Sequence, residues 1–185
     1  MRNLIGFLSC LALAATAPAA VLLNEPFNYA NGPIVSVSGS NWLNFSGTSN
    51  QVAVTNGRVA LNLGSSEDVE AVLMPPATDT LYAGFTLRFT TVPPAAGAYF
   101  ALFKDNGAAA DFRARVWALT NGTASGGKFR LGLSSTTGTL NATNATDLST
   151  NVDYRVVIRL VNATGAATLW INPTNESDQI GRAHV

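Results

Sequence analysis

The residues best placed for acid–base chemistry are the carboxyls of the run Glu67-Asp68-Val69-Glu70. On an extended strand successive side chains alternate between faces, so Asp68 and Glu70 share one face and Glu67 takes the other. Two carboxyls aimed at one cleft are the raw material of glycoside hydrolysis, retaining or inverting according to their separation. A second set is suited to binding rather than turnover. Arg113, Arg115 and Trp117 recur at alternate positions of one strand-like run, Arg130 sits in the next, and Trp170 lies in a later one. Guanidinium planes and indole rings on one sheet would stack on sugar rings or meet acidic groups. The plainer reading of the same residues is that long Arg stems cover an ordinary solvated sheet.

What the chain lacks narrows the chemistry further. Residues 1–20 read as a secretory signal peptide, with Arg2 as the basic end, an apolar run over 4–15 and Ala17-Pro18-Ala19 as the cleavage site. At the other end, residues 180–185 (IGRAHV) back-translate as ATC GGA AGA GCA CAC GTC, which looks like a sequencing-adapter read in frame. The expectation is a native mature segment over 21–179 that is cut short at its C-terminus. Cys10 leaves with the signal peptide and His184 with the adapter, so that segment contains neither Cys nor His. Disulfides, thiolate nucleophiles, Ser-His-Asp triads and His- or Cys-ligated zinc all drop out. Without Arg2 and Arg182, nine basic residues face eleven acidic ones, a formal −2. That balance gives no electrostatic footprint for nucleic acid, and no interior run is long enough for a membrane helix.

The elements that must position these residues are strands. Three runs over 81–120 alternate apolar and polar residues and are separated by Pro93-Pro94, Gly97 and Asn106-Gly107, which predicts an antiparallel meander. Phe112, Ala114, Val116 and Ala118 form one face of the third run, against Arg113, Arg115, Trp117 and Leu119. Upstream, 21–27 reads as a first strand and Trp42, beside Leu43 and Phe45, as a core residue. Runs 51–55 and 58–63 read as a hairpin about Asn56-Gly57, the dipeptide of a type I′ turn. Strands follow over 67–74, 128–134, 153–161 and 167–172, with Asn162-Ala163-Thr164-Gly165 turning the last pair. About ten short strands with frequent turn signals point to two packed antiparallel sheets.

The succession LNEPFNYANGP, Trp42, GRVALN, SEDVEAVL, LYAGFTLRF, YFALFKD, FRARVWA, FRLGL, YRVVIRL and TLWINP resembles secreted bacterial proteins with a concanavalin A-like or laminin G-like jelly roll. The resemblance implies an all-β, two-sheet antiparallel jelly-roll sandwich, lacking its final strand if the chain is cut near Gln179. It further implies a secreted or cell-surface, non-catalytic recognition or adhesion module with an extracellular glycan or cell-surface polymer as partner; by their strand parity Arg113, Arg115, Trp117, Arg130 and Trp170 are the candidate ligand-binding residues. A glycoside hydrolase or polysaccharide lyase of the same fold, using Asp68 and Glu70, is the alternative. The family's Glu-x-Asp-x-(x)-Glu strand motif is not met, because Glu67 falls on the wrong face. A structural spacer is the second alternative. No cofactor is expected; calcium accompanies such folds, and Asp105-Asn106, Asp111 or Asp147 could supply loop oxygens.

Overall fold

The computed structural model describes residues 20–74, 79–105, 111–175, 177 and 183–184. Residues 1–19 of the expected signal peptide (1–20), the Pro75-Pro76 and Asn106-Gly107 breaks, and residues 180–182 and 185 lie outside them. Among the described residues the elements run β1 (Gly32–Pro33), α1 (Ile34–Val37), β2 (Leu43–Ser46), β3 (Ala53–Thr55), β4 (Arg58–Ala60), β5 (Asp68–Glu70) and β6 (Thr80–Leu87). They continue with β7 (Ala98–Lys104), β8 (Phe112–Leu119), β9 (Lys128–Ser134), β10 (Ala142–Thr143), β11 (Leu148–Ser149), β12 (Tyr154–Val161), β13 (Ala166–Ile171) and β14 (Ala183–His184). The protein is all-β, and among the described residues every strand pair is antiparallel.

Two larger sheets carry the main core. One has the order β10-β9-β8-β7, with β11 also on β9, and the other β14-β13-β12-β6. Alternation explains the arrangement: Val156, Ile158 and Leu160 of β12 and Ala167, Leu169 and Ile171 of β13 turn inward against Val116, Phe129, Leu131 and Leu133 of β8 and β9. Each fully buried Leu, Ile or Phe side chain contributes about 1.5–3 kcal/mol of transfer free energy. From β6, Leu81, Ala83, Phe85 and Leu87 pack on the same core while Tyr82, Gly84 and Thr86 remain outside. Residues 20–74 form a smaller layer, a β1-β3-β4 sheet and a β2-β5 ribbon around buried Ile34, Val52 and Val54.

Several expectations meet their physical test here. The Asn56-Gly57 hairpin is present: Thr55 pairs with Arg58, and Asn56 (φ 51°) and Gly57 (φ 72°) both take the left-handed conformation that a type I′ turn demands. β12 and β13 close about 162–165, with Val161 opposite Ala166. The meander over 81–120 is corrected. β6 pairs with β12, and the chain crosses through 88–97 to the other sheet, where β7, β8 and β9 form the actual meander. That connection is longer than the two to five residues of a typical hairpin loop, and Phe89 within it packs between Phe100 and Phe129 at 5.7 and 4.9 Å.

The predicted strand over 21–27 forms no ladder. Pro26 has no N–H to give, Phe27 sits at φ 52°, and the Phe27 N–H donates to the Glu25 carboxylate instead. At the far end, Ala183–His184, set apart in the sequence as adapter-derived, pair with Thr168 and Leu169 on the edge of β13.

Candidate functional site

The residues singled out from sequence do not form an open surface. Arg115 and Trp117 lie on the outer face of the β7-β8-β9 sheet, as their parity requires, but they are only 7% and 9% exposed. Loop 135–141 folds over that face. Its Thr137 carbonyl accepts from Arg115 Nη1, and its Leu140 side chain lies so close that a Cβ at Gly132 would come within 2.5 Å of it. The Trp117 indole N–H donates to Ser134 Oγ at 2.9 Å. Arg113 is spent on Asp105 at 2.7 Å and Arg130 on Asp147 at 2.5 Å. Trp170 belongs to the other sheet and is 1% exposed, with the Arg159 guanidinium 5.6 Å over its ring. The five therefore divide between two sheets: Arg115, Trp117 and Trp170 are buried, and Arg113 and Arg130 are paired with carboxylates nearer the surface.

One run of alternation breaks where it matters. Ala114 takes φ 47°, a left-handed position inside β8, and the pairing with β7 shifts there. Phe112 is thereby carried to the outer face, 6.3 Å from Tyr99 and 6.0 Å from Phe45, instead of joining Val116 and Ala118 in the core.

The acidic run is likewise resolved. Glu67 is buried at 6% exposure and accepts from the backbone N–H groups of Asn50, Gln51 and Val52 at 3.0, 2.7 and 2.6 Å, and from Asn44 Nδ2 at 3.3 Å. Burial alone would raise its pKa; those donors outweigh burial and hold it below the usual carboxylate range. It ties loop 50–52 to β5. Asp68 accepts from Ser46 Oγ at 2.5 Å, and Glu70 lies 3.8 Å from Lys104 Nζ. Neither Asp68 nor Glu70 lines the cleft described below. Of the loop acids considered for calcium, Asp105 is engaged by Arg113, and Asp147 accepts from the Ala124 N–H and Arg130. Among the described residues no group of three or more His, Cys, Asp or Glu side chains converges as metal ligands, and no helix is long and apolar enough to cross a membrane.

A concave site lies in the smaller layer. A cleft of about 490 Å³ is lined by Asn24, Glu25, Asn28, Tyr29, Ser40 and Asn41 and by the apolar Leu23, Pro26, Leu43, Ala71 and Val72. Local turns build it. After one-turn helix α1, Gly39 (φ 62°) and Ser40 (φ 76°) both adopt left-handed conformations, and buried Ser38 accepts the Trp42 N–H at 3.1 Å. This reversal delivers Asn41 and Trp42 to the Glu25 segment. Glu25 Oε2 accepts from Tyr29 OH at 2.6 Å and from Trp42 Nε1 at 3.0 Å, Oε1 accepts the Phe27 N–H at 2.7 Å, and Asn41 Nδ2 donates to Tyr29 OH at 3.0 Å. Burial pushes the Glu25 pKa up, but the Tyr29, Trp42 and Phe27 donors more than offset it, so Glu25 stays ionised. The same hydrogen bond to Glu25 raises the Tyr29 pKa, which keeps the phenol protonated.

Trp42 does pack with the small core, 5.8 Å from Phe27, and it also fixes the Glu25 carboxylate. Sequence reasoning missed the Glu25–Tyr29–Asn41 constellation. The available signal was Glu25-Pro26-Phe27, where a carboxylate precedes a residue that cannot continue a ladder. Chemically, the cleft offers amide and hydroxyl groups, one ionised carboxylate and apolar walls, and its lining carries no cation. Scans of this chain against family models, curated proteins and solved structures each found no match.

Proposed function

We propose that this chain is an exported, non-catalytic recognition module, a jelly-roll type of sandwich within a longer extracellular or cell-surface protein, and that it binds a neutral carbohydrate in the Glu25–Tyr29–Asn41 cleft. The observation that carries this reading is the lining itself. Three asparagines, a serine, a tyrosine and one held carboxylate converge between aliphatic walls. Hydroxyl-rich rings present donors and acceptors around their edges and C–H groups on their faces, which that mixture matches. The ionised Glu25 disfavours acidic sugars and accepts from hydroxyls. Glu25 is the single carboxylate among the lining residues, whereas glycoside hydrolysis of either stereochemistry normally uses two, which favours binding over turnover.

The test is retention of the protein on insoluble cellulose, chitin, xylan, mannan and β-1,3-glucan, with release of reducing ends assayed in parallel. Retention on at least one polymer is expected, weakened at least tenfold by Asn41→Ala and by Glu25→Gln, with no release of reducing ends. Retention that neither substitution alters would overturn the placement of the site, and turnover would overturn the non-catalytic reading.

A further inference from the structure

Outside the cleft, the feature that the fold leaves without a role is a run of rings and cations on the outer face of the β7-β8 pair. Phe45 of β2 lies edge-on to Phe112 at 6.0 Å, Phe112 lies 6.3 Å from Tyr99, and Tyr99 is 38% exposed. The Lys104 ammonium sits 4.5 Å over Phe45, and the Arg115 guanidinium lies 5.0 and 5.6 Å over Phe112 and Tyr99. Arg115 Nε is buried and has no hydrogen-bond partner among the described residues.

This run joins the cleft through β2. Leu43, exposed at 42%, lines the cleft and pairs in register with Glu70, whose carboxylate is 3.8 Å from Lys104 Nζ. Two residues of strand separate Leu43 from Phe45, about 7 Å. With the ring spacings, the path from the cleft to Tyr99 is on the order of 20 Å, longer than a disaccharide.

We infer that Tyr99 and Phe112 form a second subsite, and that the ligand is a linear oligosaccharide that leaves the cleft along β2 and stacks on these rings. This rests on the carbohydrate reading of the cleft and extends it from a single sugar to a chain. Sugar faces rich in C–H groups complement aromatic faces, and the Tyr99 ring is open to solvent at 38% exposure.

The protein contains three tryptophans, so its indole N–H groups are three separable reporters in a ¹⁵N-correlated NMR spectrum. Trp42 donates to Glu25 in the cleft, Trp117 lies 5.4 Å from Tyr99, and Trp170 is in the opposite sheet. The probes are the disaccharide and hexasaccharide of β-1,4-linked glucose, xylose and N-acetylglucosamine, and of β-1,3-linked glucose. The disaccharide that binds should shift Trp42 alone. Its hexasaccharide should shift Trp42 and Trp117, leave Trp170 in place, and bind about tenfold more tightly, the scale of one added aromatic contact. Tyr99→Ala should return the hexasaccharide to disaccharide affinity with the Trp42 shift retained, and Tyr99→Phe should restore the gain. A hexasaccharide that shifts only Trp42, with disaccharide affinity, overturns the second subsite and leaves the cleft standing. Failure of every sugar to shift Trp42 overturns the carbohydrate reading, and the second subsite falls with it.

Discussion

The layer formed by 20–74 and the sandwich formed by 79–175 are both antiparallel, yet different interactions hold them. In the sandwich, strands of six to eight residues such as β8, β12 and β13 run as long ladders and bury one continuous apolar face. In the smaller layer, strands of two to four residues surround three buried aliphatic side chains, and side chains satisfy much of the backbone. Glu67 gathers three N–H groups, Gln51 Oε1 accepts from Ser66 and Glu67, and Glu25 takes Phe27. Long ladders leave a face flat and full. Short strands stitched by polar side chains leave the chain free to bend, and the cleft lies in that layer.

This contrast predicts different failures for a core truncation and a polar one. Phe129→Ala, in the sandwich core at 0% exposure, should cost about 3–5 kcal/mol and shift the global denaturant midpoint. Glu67→Gln replaces one acceptor oxygen by an NH₂ that faces backbone donors, and should cost about 2–4 kcal/mol. Hydrogen exchange should show the Asn50, Gln51 and Val52 amides losing protection while those of β12 and β13 keep theirs. If all amides lose protection together, the two layers are one cooperative unit and the contrast is only geometric.

Acid should sharpen the same division with a smaller effect. Hydrogen bonds from Arg88 and Arg58 lower the Asp153 pKa from 3.8 to about 2, and the Arg58 contact joins β4 to the residue before β12. A carboxylate lowered by folding contributes stability that is complete above its unfolded pKa and is lost as pH falls through its folded value. For Asp153 that window runs from 3.8 down to about 2. Glu67 and Glu25, also lowered, add to acid sensitivity in the same direction. Thermal midpoints measured down this range should fall less steeply in Asp153→Asn than in the native chain. Parallel curves would show that the exposed Arg58–Asp153–Arg88 contact contributes nothing measurable, as surface ion pairs often do.

What could be read from sequence follows the same boundary. β9, β12 and β13 were legible nearly to the residue because their alternation is unbroken and turn residues bound them. The Asn56-Gly57 turn was legible because its chemistry is local. The partner of β6 was not, because alternation gives a strand its faces and says nothing about which neighbour completes its ladder. Nor was the burial of Arg115 and Trp117: the covering loop 135–141 is a Ser- and Thr-rich stretch whose single large apolar residue, Leu140, finds its seat only because Gly132 has no side chain. The cleft was invisible for a related reason. Glu25, Tyr29 and Asn41 share no period and meet through left-handed turns at Phe27, Gly39 and Ser40.

The finest test concerns Ala114, a residue at which β8 departs from ideal alternation. Ala114 and Ala118 lie on the same strand, both buried at 0% and 1% exposure, but only Ala114 has a left-handed φ, of 47°. Ala118→Gly removes a buried methyl, about 0.8 kcal/mol, and adds the glycine entropy cost in a strand, about 0.5–1 kcal/mol. Ala114→Gly carries the same two costs but relieves left-handed strain of about 1–2 kcal/mol, so it should be close to neutral. The difference between the two midpoints in urea therefore isolates the strain stored at the β8 bulge. An Ala114→Gly loss equal to that of Ala118→Gly would mean that the bulge is unstrained and that packing alone carries Phe112 to the outer face. A clear gap would mean that β8 holds a strained residue in order to place Phe112 beside Tyr99, the arrangement on which the second subsite depends.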